Sequence, residues 1–369
     1  MFVSNDLLYY LGFSHFPAID PIKFRWLLHQ QKTPAKAYWA REEQLIRIIN
    51  RKSAGEFIKF RNEFDPIKKL EELKRKEIQV VSPGDENYPE SLNNIADPPI
   101  CLYVKGNVKM LNRVQHDKKP LFFSIVGTRT PTPYGEQVAY KLSRELAEAG
   151  LVIVSGLARG IDTIAHKGCL DAKGVTIAVL GCSVDRIYPA ENFYLYRKII
   201  ENKGAIVSEV PPGVSVMKEL FSQRNRIISG LSKGVLVVEG SDRSGTLITA
   251  RFAAEQGKDL FAVPGPIMST KSTAPNYLIQ NGAKLVIKAE DILEEYGIKI
   301  DIPKKEIFAD LNKEQKEIVF LLKNKPLLVD KIGVLLNKPI NRILNQITLL
   351  EIKGVVEKNS ENKYQLKLN

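Results

Sequence analysis

Cysteine and histidine are scarce in this chain of 369 residues, which contains three cysteines and four histidines. No two cysteines form a C-x-x-C pair, and the histidines show no metal-ligand spacing. The sequence therefore predicts neither a disulfide framework nor a metal site. Unpaired cysteines of this kind are typical of a protein that works in a reducing compartment.

Long apolar runs are also missing, because no segment reaches the roughly 18 apolar residues that a membrane-spanning helix needs. The first residues, MFVSNDLLYYLGF, lack a cationic start and include Asp6. That pattern is not typical of a secretory signal peptide. We therefore expect a cytoplasmic protein that does not act at a membrane.

The fingerprints of common nucleotide cofactors are absent as well. Neither G-x-G-x-x-G nor GxxxxGK[ST] occurs in the sequence. These glycine-rich turns are what cradle the phosphates of dinucleotides and of ATP. We therefore expect no bound nicotinamide cofactor or ATP, and no other cofactor is indicated.

Positive charge is in excess, since 54 Lys and Arg residues outnumber 42 Asp and Glu residues. The net charge is +12 and the isoelectric point is about 9.3. A surplus of this sign favours a polyanionic partner such as nucleic acid.

Residues 1–76 carry apolar clusters at helical spacing, which predicts a small helical domain. Its pairs of short helices predict a SAM-like or helix-hairpin-helix-like domain, but the Gly-x-Gly turn with which the latter grips phosphate is missing. A structural or protein-contacting role is therefore favoured. Two short strands are predicted next, at Ile78–Val81 and Ile100–Val104, and an exposed connection at Val114–Pro120.

Residues 77–300 form the second predicted domain, because strand and helix patterns alternate from Leu121 to about Tyr296. Its strands are continuous apolar runs, as expected for a parallel sheet covered on both faces. We predict an α/β fold with an extended Rossmann-like, doubly wound sheet. Its predicted strands are Leu121–Val126, Leu151–Val154, Val175–Leu180, Ala205–Val207, Val235–Val238, Asp259–Val263 and Lys284–Ile287.

Residues 306–369 predict a winged-helix domain, with three helices and a hairpin. The helices are expected at Lys313–Lys323, Leu328–Leu336 and Ile340–Leu350. Arg342 is the only basic residue between Pro339 and Leu350. A groove-reading helix normally carries more cationic or amide side chains. DNA reading stays open, but a partner-contacting or accessory role is favoured.

Glycines, small hydroxyl residues and arginines follow the predicted strands, at the edge where doubly wound sheets bind ligands. Because the fork of an arginine matches phosphate, this edge predicts a site for a ligand that carries phosphate, such as nucleic acid. The candidate DNA-binding residues are Gly127, Thr128, Arg129, Ser155, Gly156, Arg159, Arg186, Tyr188, Arg224, Asn225, Arg226, Ser244, Gly245 and Thr246. Tyr134, Phe193 and Phe221 join Tyr188 as aromatic candidates for stacking on bases.

Arg224 and Arg226 stand out because they fall in the first turn of a helix predicted from an N-cap at Ser222 to about Ser232. Cations there oppose the helix dipole unless an anion binds between them. A division of labour stays open, in which one arginine binds DNA and the other pairs with Glu209 or Glu239.

A set of ordered motifs resembles the DNA-processing protein A (DprA/Smf) family and spans about residues 78–296. The motifs are Ile125-Val126-Gly127-Thr128-Arg129, Ser155-Gly156-Leu157-Ala158-Arg159-Gly160-Ile161-Asp162, Tyr188-Pro189, Pro211-Pro212-Gly213, Arg224-Asn225-Arg226, Ser244-Gly245-Thr246 and Val263-Pro264-Gly265.

The resemblance implies a bacterial protein that binds single-stranded DNA, forms a homodimer through the Rossmann-like domain and loads the RecA recombinase during natural transformation and recombination. It also implies that Arg129 and the Ser155-Gly156 turn contact the DNA backbone. Three places depart from the family pattern. Thr128 replaces a frequent serine, Ala190 replaces a frequent basic residue, and Ser272–Asn276 lacks a usual glycine.

Two other functions stay open. Nucleotide phosphoribohydrolases have a similar α/β domain, and Glu209 or Glu239 could serve such an enzyme as its carboxylate. The simpler expectation for both glutamates is a salt bridge to a neighbouring arginine. An interaction scaffold for an acidic protein would also use a basic edge. A non-catalytic DNA binder is favoured over both.

Overall fold

The computed structural model describes residues 5–112, 120–242, 244–298, 311–322, 325–352, 355–359 and 362–366. The chain divides into two compact units, Met1–Ile300 and Asp301–Asn369. We call the first the sheet unit and the second the C-terminal unit. None of the helices in the described ranges is long and apolar enough to cross a membrane.

The sheet unit begins with a helical segment, as predicted. Asp20, Thr33 and Asp65 each precede a proline, and their side chains accept hydrogen bonds from backbone N–H groups of the helix that follows. Such caps with proline in the first turn are favourable helix starts. The helices are α1 (Asn5–Ser14), α2 (Pro21–Gln31), α3 (Pro34–Tyr38), α4 (Glu42–Ile46), α5 (Arg51–Glu63) and α6 (Pro66–Arg75).

Among the described residues, nine strands form one sheet in the order β1-β2-β6-β5-β4-β3-β7-β8-β9. Strands β3 to β9 are parallel to one another, whereas β1 and β2 add an antiparallel edge beside β6. The strands are β1 (Gln79–Val81), β2 (Leu102–Gly106), β3 (Phe122–Val126), β4 (Val152–Ser155), β5 (Thr176–Val179), β6 (Ala205–Ser208), β7 (Gly234–Val237), β8 (Asp259–Ala262) and β9 (Lys284–Leu285).

Helices cover both faces of this sheet, which confirms the predicted doubly wound α/β fold. They are α7 (Glu90–Asn93), α8 (Pro133–Glu148), α9 (Ile161–Asp171), α10 (Phe193–Glu201), α11 (Lys218–Gln223), α12 (Asn225–Leu231), α13 (Gly245–Glu255), α14 (Thr273–Gln280) and α15 (Glu290–Leu293), with 3-10 helices at Val108–Leu111, Ala190–Asn192 and Glu294–Tyr296.

The helical segment and the sheet share a hydrophobic core. Phe13 and Phe57 belong to the same buried cluster as Ala178, Leu180 and Ile206 on the sheet. The predicted boundary near residue 76 therefore separates two parts of one compact unit. Most of the predicted exposed connection at Val114–Pro120 lies outside the described residues.

The C-terminal unit contains the predicted helices and hairpin within its described residues. They are α16 (Lys313–Leu322), α17 (Val329–Leu336), α18 (Ile340–Ile352) and the antiparallel strands β10 (Val356–Lys358) and β11 (Tyr364–Leu366). Ile318, Ile332, Ile343 and Ile347 form its core. Apolar residues recur at helical spacing in these segments, and this periodicity was enough to predict the helices.

Candidate nucleic-acid interface

The order of the strands creates a crevice at the carboxyl ends of β3 and β7. From β3 the chain proceeds to β4 on one side, whereas from β7 it proceeds to β8 on the other. Ligands of doubly wound sheets bind where the order reverses in this way. The two loops are joined there, because the Thr128 N–H donates to the Glu239 carbonyl over 2.8 Å.

A polar cleft of about 520 Å³ opens beside this crevice. Arg129, Arg159 and Lys167 give it three cations, against the carboxylates of Glu136 and Glu191. Its positive balance suits an anionic ligand. The lining residues are Arg129, Thr130, Pro131, Glu136, Arg159, Gly160, Thr163, Lys167, Glu191 and Asn192.

Arg129 and Arg159 lie on this cleft with different surroundings. Arg129 is exposed, and no hydrogen bond or ion pair within the described ranges engages its guanidinium group. Arg159 is also exposed but donates two hydrogen bonds to Glu191, over 2.6 and 2.7 Å. This hydrogen-bonded contact raises the pKa of Arg159 and lowers the pKa of the Glu191 carboxyl. Arg129 therefore offers the freer cation.

The loop after β4 directs its polar groups into the protein. The buried Ser155 hydroxyl donates to the Ile125 carbonyl over 2.7 Å. The N–H groups of Gly156 and Ala158 donate to Asp162 over 3.1 and 3.4 Å. Burial raises the pKa of the Asp162 carboxyl. The Ser155 hydroxyl and the Gly156 N–H therefore have internal partners, and contact of this turn with the DNA backbone stays a prediction.

Arg224 stabilises the loop after β4 through a buried hydrogen bond. Its side chain is buried, with the residue only 4% exposed, and its guanidinium group donates to the Gly156 carbonyl over 2.7 Å and to the Val179 carbonyl. Burial lowers its pKa to about 10. A Cβ atom added at Gly156 would overlap this guanidinium group, so glycine is what allows the close packing.

Arg226 is buried as well, at 3% exposure, and is fully engaged by carboxylates. It donates to both carboxylate oxygens of Glu209, over 3.0 and 2.6 Å, and to Asp97 over 2.7 Å. Although burial disfavours its charged form, these carboxylates raise its pKa. The expected salt bridge to a glutamate is thus found, and Glu209 is the partner.

The predicted helix from Ser222 to Ser232 is in fact two helices. Ser222 lies inside α11, and α12 begins at Asn225 with Arg224 as its N-cap. The expectation that Ser222 caps the helix is therefore wrong. Arg224 and Arg226 do start a helix, but both turn inward, where backbone carbonyls and carboxylates replace the expected external anion.

Among the described residues, Glu239 contacts a threonine and forms no ion pair with an arginine. It accepts hydrogen bonds from the Thr132 N–H and hydroxyl, over 2.9 and 2.5 Å. Thr132 is the N-cap of α8, whose dipole favours a carboxylate at this end. In the described part of the chain, Glu239 is therefore held by Thr132 and not by the expected salt bridge.

The turn before α13 approaches the start of α12. The Asn225 amide donates to the Gly245 carbonyl over 3.4 Å. Ser244 is the N-cap of α13, and its hydroxyl has no hydrogen-bond partner among the described residues. Thr246 is buried, whereas Gly245 is exposed. Arg243, which precedes this turn in the sequence, lies outside the described residues.

Exposed aromatic and basic side chains extend the same edge. Tyr188 is 48% exposed, and its ring centroid lies 5.3 Å from that of Phe221. Arg186 is exposed beside it. Phe193 is exposed too, while the Tyr134 hydroxyl is anchored to the Pro264 carbonyl over 2.9 Å.

Lys271 is a cation at this edge that the sequence reading missed. Its Nζ atom lies 2.7 Å from the Thr130 hydroxyl and 3.3 Å from the Thr128 hydroxyl. The available signal was its place in the segment after β8, on the same carboxyl edge. No group of three or more His, Cys, Asp or Glu residues in the described ranges could hold a metal ion.

Comparisons with known proteins identify relatives of this chain. The family described as DNA recombination-mediator protein A matches residues 79–297. The chain is 36% identical to protein Smf of Escherichia coli over 332 residues, which cover 86% of this chain and 87% of that protein. It is 44% identical to DNA processing protein DprA of Bacillus subtilis over 218 residues, or 59% of this chain and 71% of the relative.

Two solved structures are similar in sequence and in fold. DprA of Streptococcus pneumoniae matches with a TM-score of 0.67 and 34% identity, over 80% of this chain and 99% of that chain. DprA of Helicobacter pylori matches with a TM-score of 0.53 and 34% identity, over 60% and 95%. The latter structure is described as giving insight into a single-stranded DNA binding mode. This chain belongs to the DprA/Smf family of DNA-processing proteins.

Proposed function

We propose that this protein binds single-stranded DNA along the carboxyl edge of its sheet, without catalysis. The observation that carries the proposal is Arg129, an exposed cation with no partner in the described ranges. It lies on the cleft beside the crevice between β3 and β7. Phosphates are the ligand that an arginine in such a place binds best. The single-stranded DNA binding mode described for Helicobacter pylori DprA supports the same ligand.

The predicted site residues divide into two groups in this proposal. Exposed residues contact DNA directly, and half-buried or buried ones give the edge its shape. The first group consists of Arg129, Arg159, Arg186, Tyr188 and Gly245. The second group consists of Gly127, Thr128, Ser155, Gly156, Arg224, Asn225, Arg226, Ser244 and Thr246.

The proposal extends to the loading of a RecA-type recombinase onto the bound strand during natural transformation and recombination. The family description as a recombination mediator supports this step. We also propose a homodimer formed through the sheet unit. At the β9 edge of the described sheet, the apolar side chains of Tyr277, Leu285 and Ile287 are exposed, as expected for a surface that a second copy covers.

A phosphoribohydrolase-like activity is the weaker candidate. Its two possible carboxylates have structural partners, because Glu209 binds Arg226 and Glu239 binds Thr132. A general acid or base must instead reach the proton that it transfers. If the protein released adenine from AMP and Glu239→Gln abolished that release, the non-catalytic proposal would be wrong.

The test of the proposal is a titration of the protein with oligothymidine and with duplex DNA of equal length, at several salt concentrations. We expect tighter binding to the single strand. Its affinity should fall by about 0.7 log units per log unit of salt for each phosphate neutralised. Equal affinity for both forms would favour the interaction scaffold instead.

A further inference from the structure

The segment between β8 and α14, Pro264–Ser272, has an apolar tip. The Ser269 N–H donates to the Pro266 carbonyl over 2.9 Å, which closes a turn. Ile267 and Met268 occupy the centre of that turn and are 88% and 91% exposed. Turn centres usually carry Gly, Pro, Asn, Asp or Ser. Two large apolar side chains at this position call for a partner.

This segment, which we call the tip loop, is anchored to the sheet unit on both sides of its tip. Gly265 and Asn276 exchange two hydrogen bonds, over 3.2 and 3.1 Å. At the other end, the Gly240 N–H donates to the Lys271 carbonyl over 2.7 Å. The tip loop is therefore attached to the loop after β7, which borders the crevice.

Lys271 connects the tip loop to the cleft. Its ammonium group donates to Thr130, a cleft-lining residue, and to Thr128 in the turn after β3. Both partners are neutral hydroxyls, and within the described part of the chain Lys271 forms no ion pair with a carboxylate. Its charge is therefore left for an anion at the edge of the cleft.

We propose that the tip loop is a base-contacting element, in which Lys271 binds a phosphate while Ile267 and Met268 pack against the bases of the same strand. This inference rests on the proposed function and deepens it. A nucleotide combines a phosphate with the apolar face of a base, which matches a cation followed by an apolar tip. Apolar side chains, including Ile and Met, are known wedges between bases, and contact with a base face does not depend on its sequence.

The experiment compares two probes of equal length, an oligothymidine and an oligonucleotide whose central positions are abasic. The double variant Ile267→Ser/Met268→Ser should bind oligothymidine about fivefold more weakly and the abasic probe as the parent does. Lys271→Gln should weaken binding of both probes about threefold at low salt and lower the salt slope by about 0.7, the contribution of one phosphate. Ile67→Ser, an exposed isoleucine on α6, is the matched control and should change neither.

Three results would overturn the inference. The double variant could bind oligothymidine as the parent does, or it could lose affinity equally for both probes. It could also change the mass of the protein in light scattering, which would make the tip an interface between copies. Arg129→Ala separates these failures from failure of the proposed function. If Arg129→Ala weakens binding while the double variant does not, only the tip loop assignment is wrong.

Discussion

Arg129 and Arg226 lie on the same edge of the sheet, but they differ in what surrounds their guanidinium groups. Arg129 is exposed and free of partners within the described ranges, whereas Arg226 is buried between Glu209 and Asp97. The free cation is available to a phosphate, and the buried one already has its counter-ions. Position at a strand end therefore identifies a candidate arginine, and its burial decides whether its charge is free for a ligand or already paired within the protein.

The largest expected effect comes from Arg226→Met. Removing the cation leaves Glu209 and Asp97 unpaired in a partly buried place, so we expect the sheet unit to lose about 3 kcal/mol of unfolding free energy. Urea denaturation measures this loss. Arg51→Ala, an exposed arginine on α5, is the control and should change stability by less than about 0.5 kcal/mol. A loss of similar size in both variants would contradict the distinction.

The next largest expected effect is a loss of unfolding free energy on acidification, caused by a buried histidine near Arg224. His166 is buried beside Arg224, and its Nδ1 atom lies 2.7 Å from the Thr176 hydroxyl. Burial lowers its pKa to about 3. The unfolded chain therefore binds a proton that the folded chain excludes, and stability falls as the pH drops below the unfolded pKa of about 6.5.

At pH 5 this histidine should cost about 2 kcal/mol of unfolding free energy relative to pH 8. Urea denaturation of the parent and of His166→Gln at both pH values isolates its share. His166→Gln should show the smaller loss on acidification. Identical losses in the two proteins would mean that His166 does not titrate in this way.

Gly156→Ala tests the packing of Arg224 without removing any charge. The added methyl group would overlap the guanidinium group, so we expect a loss of about 1.5 kcal/mol from overpacking. Gly55→Ala is the matched control, because a Cβ atom there meets nothing within 4 Å on α5. It should raise stability by about 0.5 kcal/mol through helix propensity. If Gly156→Ala is equally harmless, the close packing is not what positions Arg224.

The smallest expected effect concerns Arg159, which is exposed like Arg129 but paired with a carboxylate like Arg226. Glu191→Gln removes its counter-charge and frees the guanidinium group for phosphate. Because exposed ion pairs are weak, we expect single-stranded DNA to bind only about twofold more tightly at low salt. Fluorescence anisotropy with oligothymidine measures this change. A weaker affinity would show that Glu191 orients Arg159 for binding instead of competing for it.

The architecture of the sheet was predictable because its signals are local. Runs such as Ile177–Val179 and Val235–Val237 are continuously apolar, and each is buried in the structure. Alternating strands and helices then place every following loop on one edge. The predicted edge and the helices of the C-terminal unit follow from the same kind of short-range pattern.

The pairing of Arg226 with Glu209, 17 residues earlier, was one of the expected alternatives. The burial of both arginines was not predictable, because their other partners are distant in sequence. Arg224 reaches the carbonyls of Gly156 and Val179, which precede it by 68 and 45 residues. Arg226 binds Asp97, which lies 129 residues earlier. Lys271 was missed for the same reason, since it contacts Thr128 and Thr130 more than 140 residues before it. Long-range contacts of this kind come only from the assembled sheet.

The central claim is that the exposed cations on this edge bind the DNA strand, whereas the buried cations stabilise the fold. The most direct measurement is the salt dependence of oligothymidine affinity for Arg129→Ala, with urea denaturation of the same protein. We expect about tenfold weaker binding at low salt, a salt slope lower by about 0.7 and unchanged unfolding. Parental affinity and slope, or a loss of binding matched by a loss of stability, would contradict the claim.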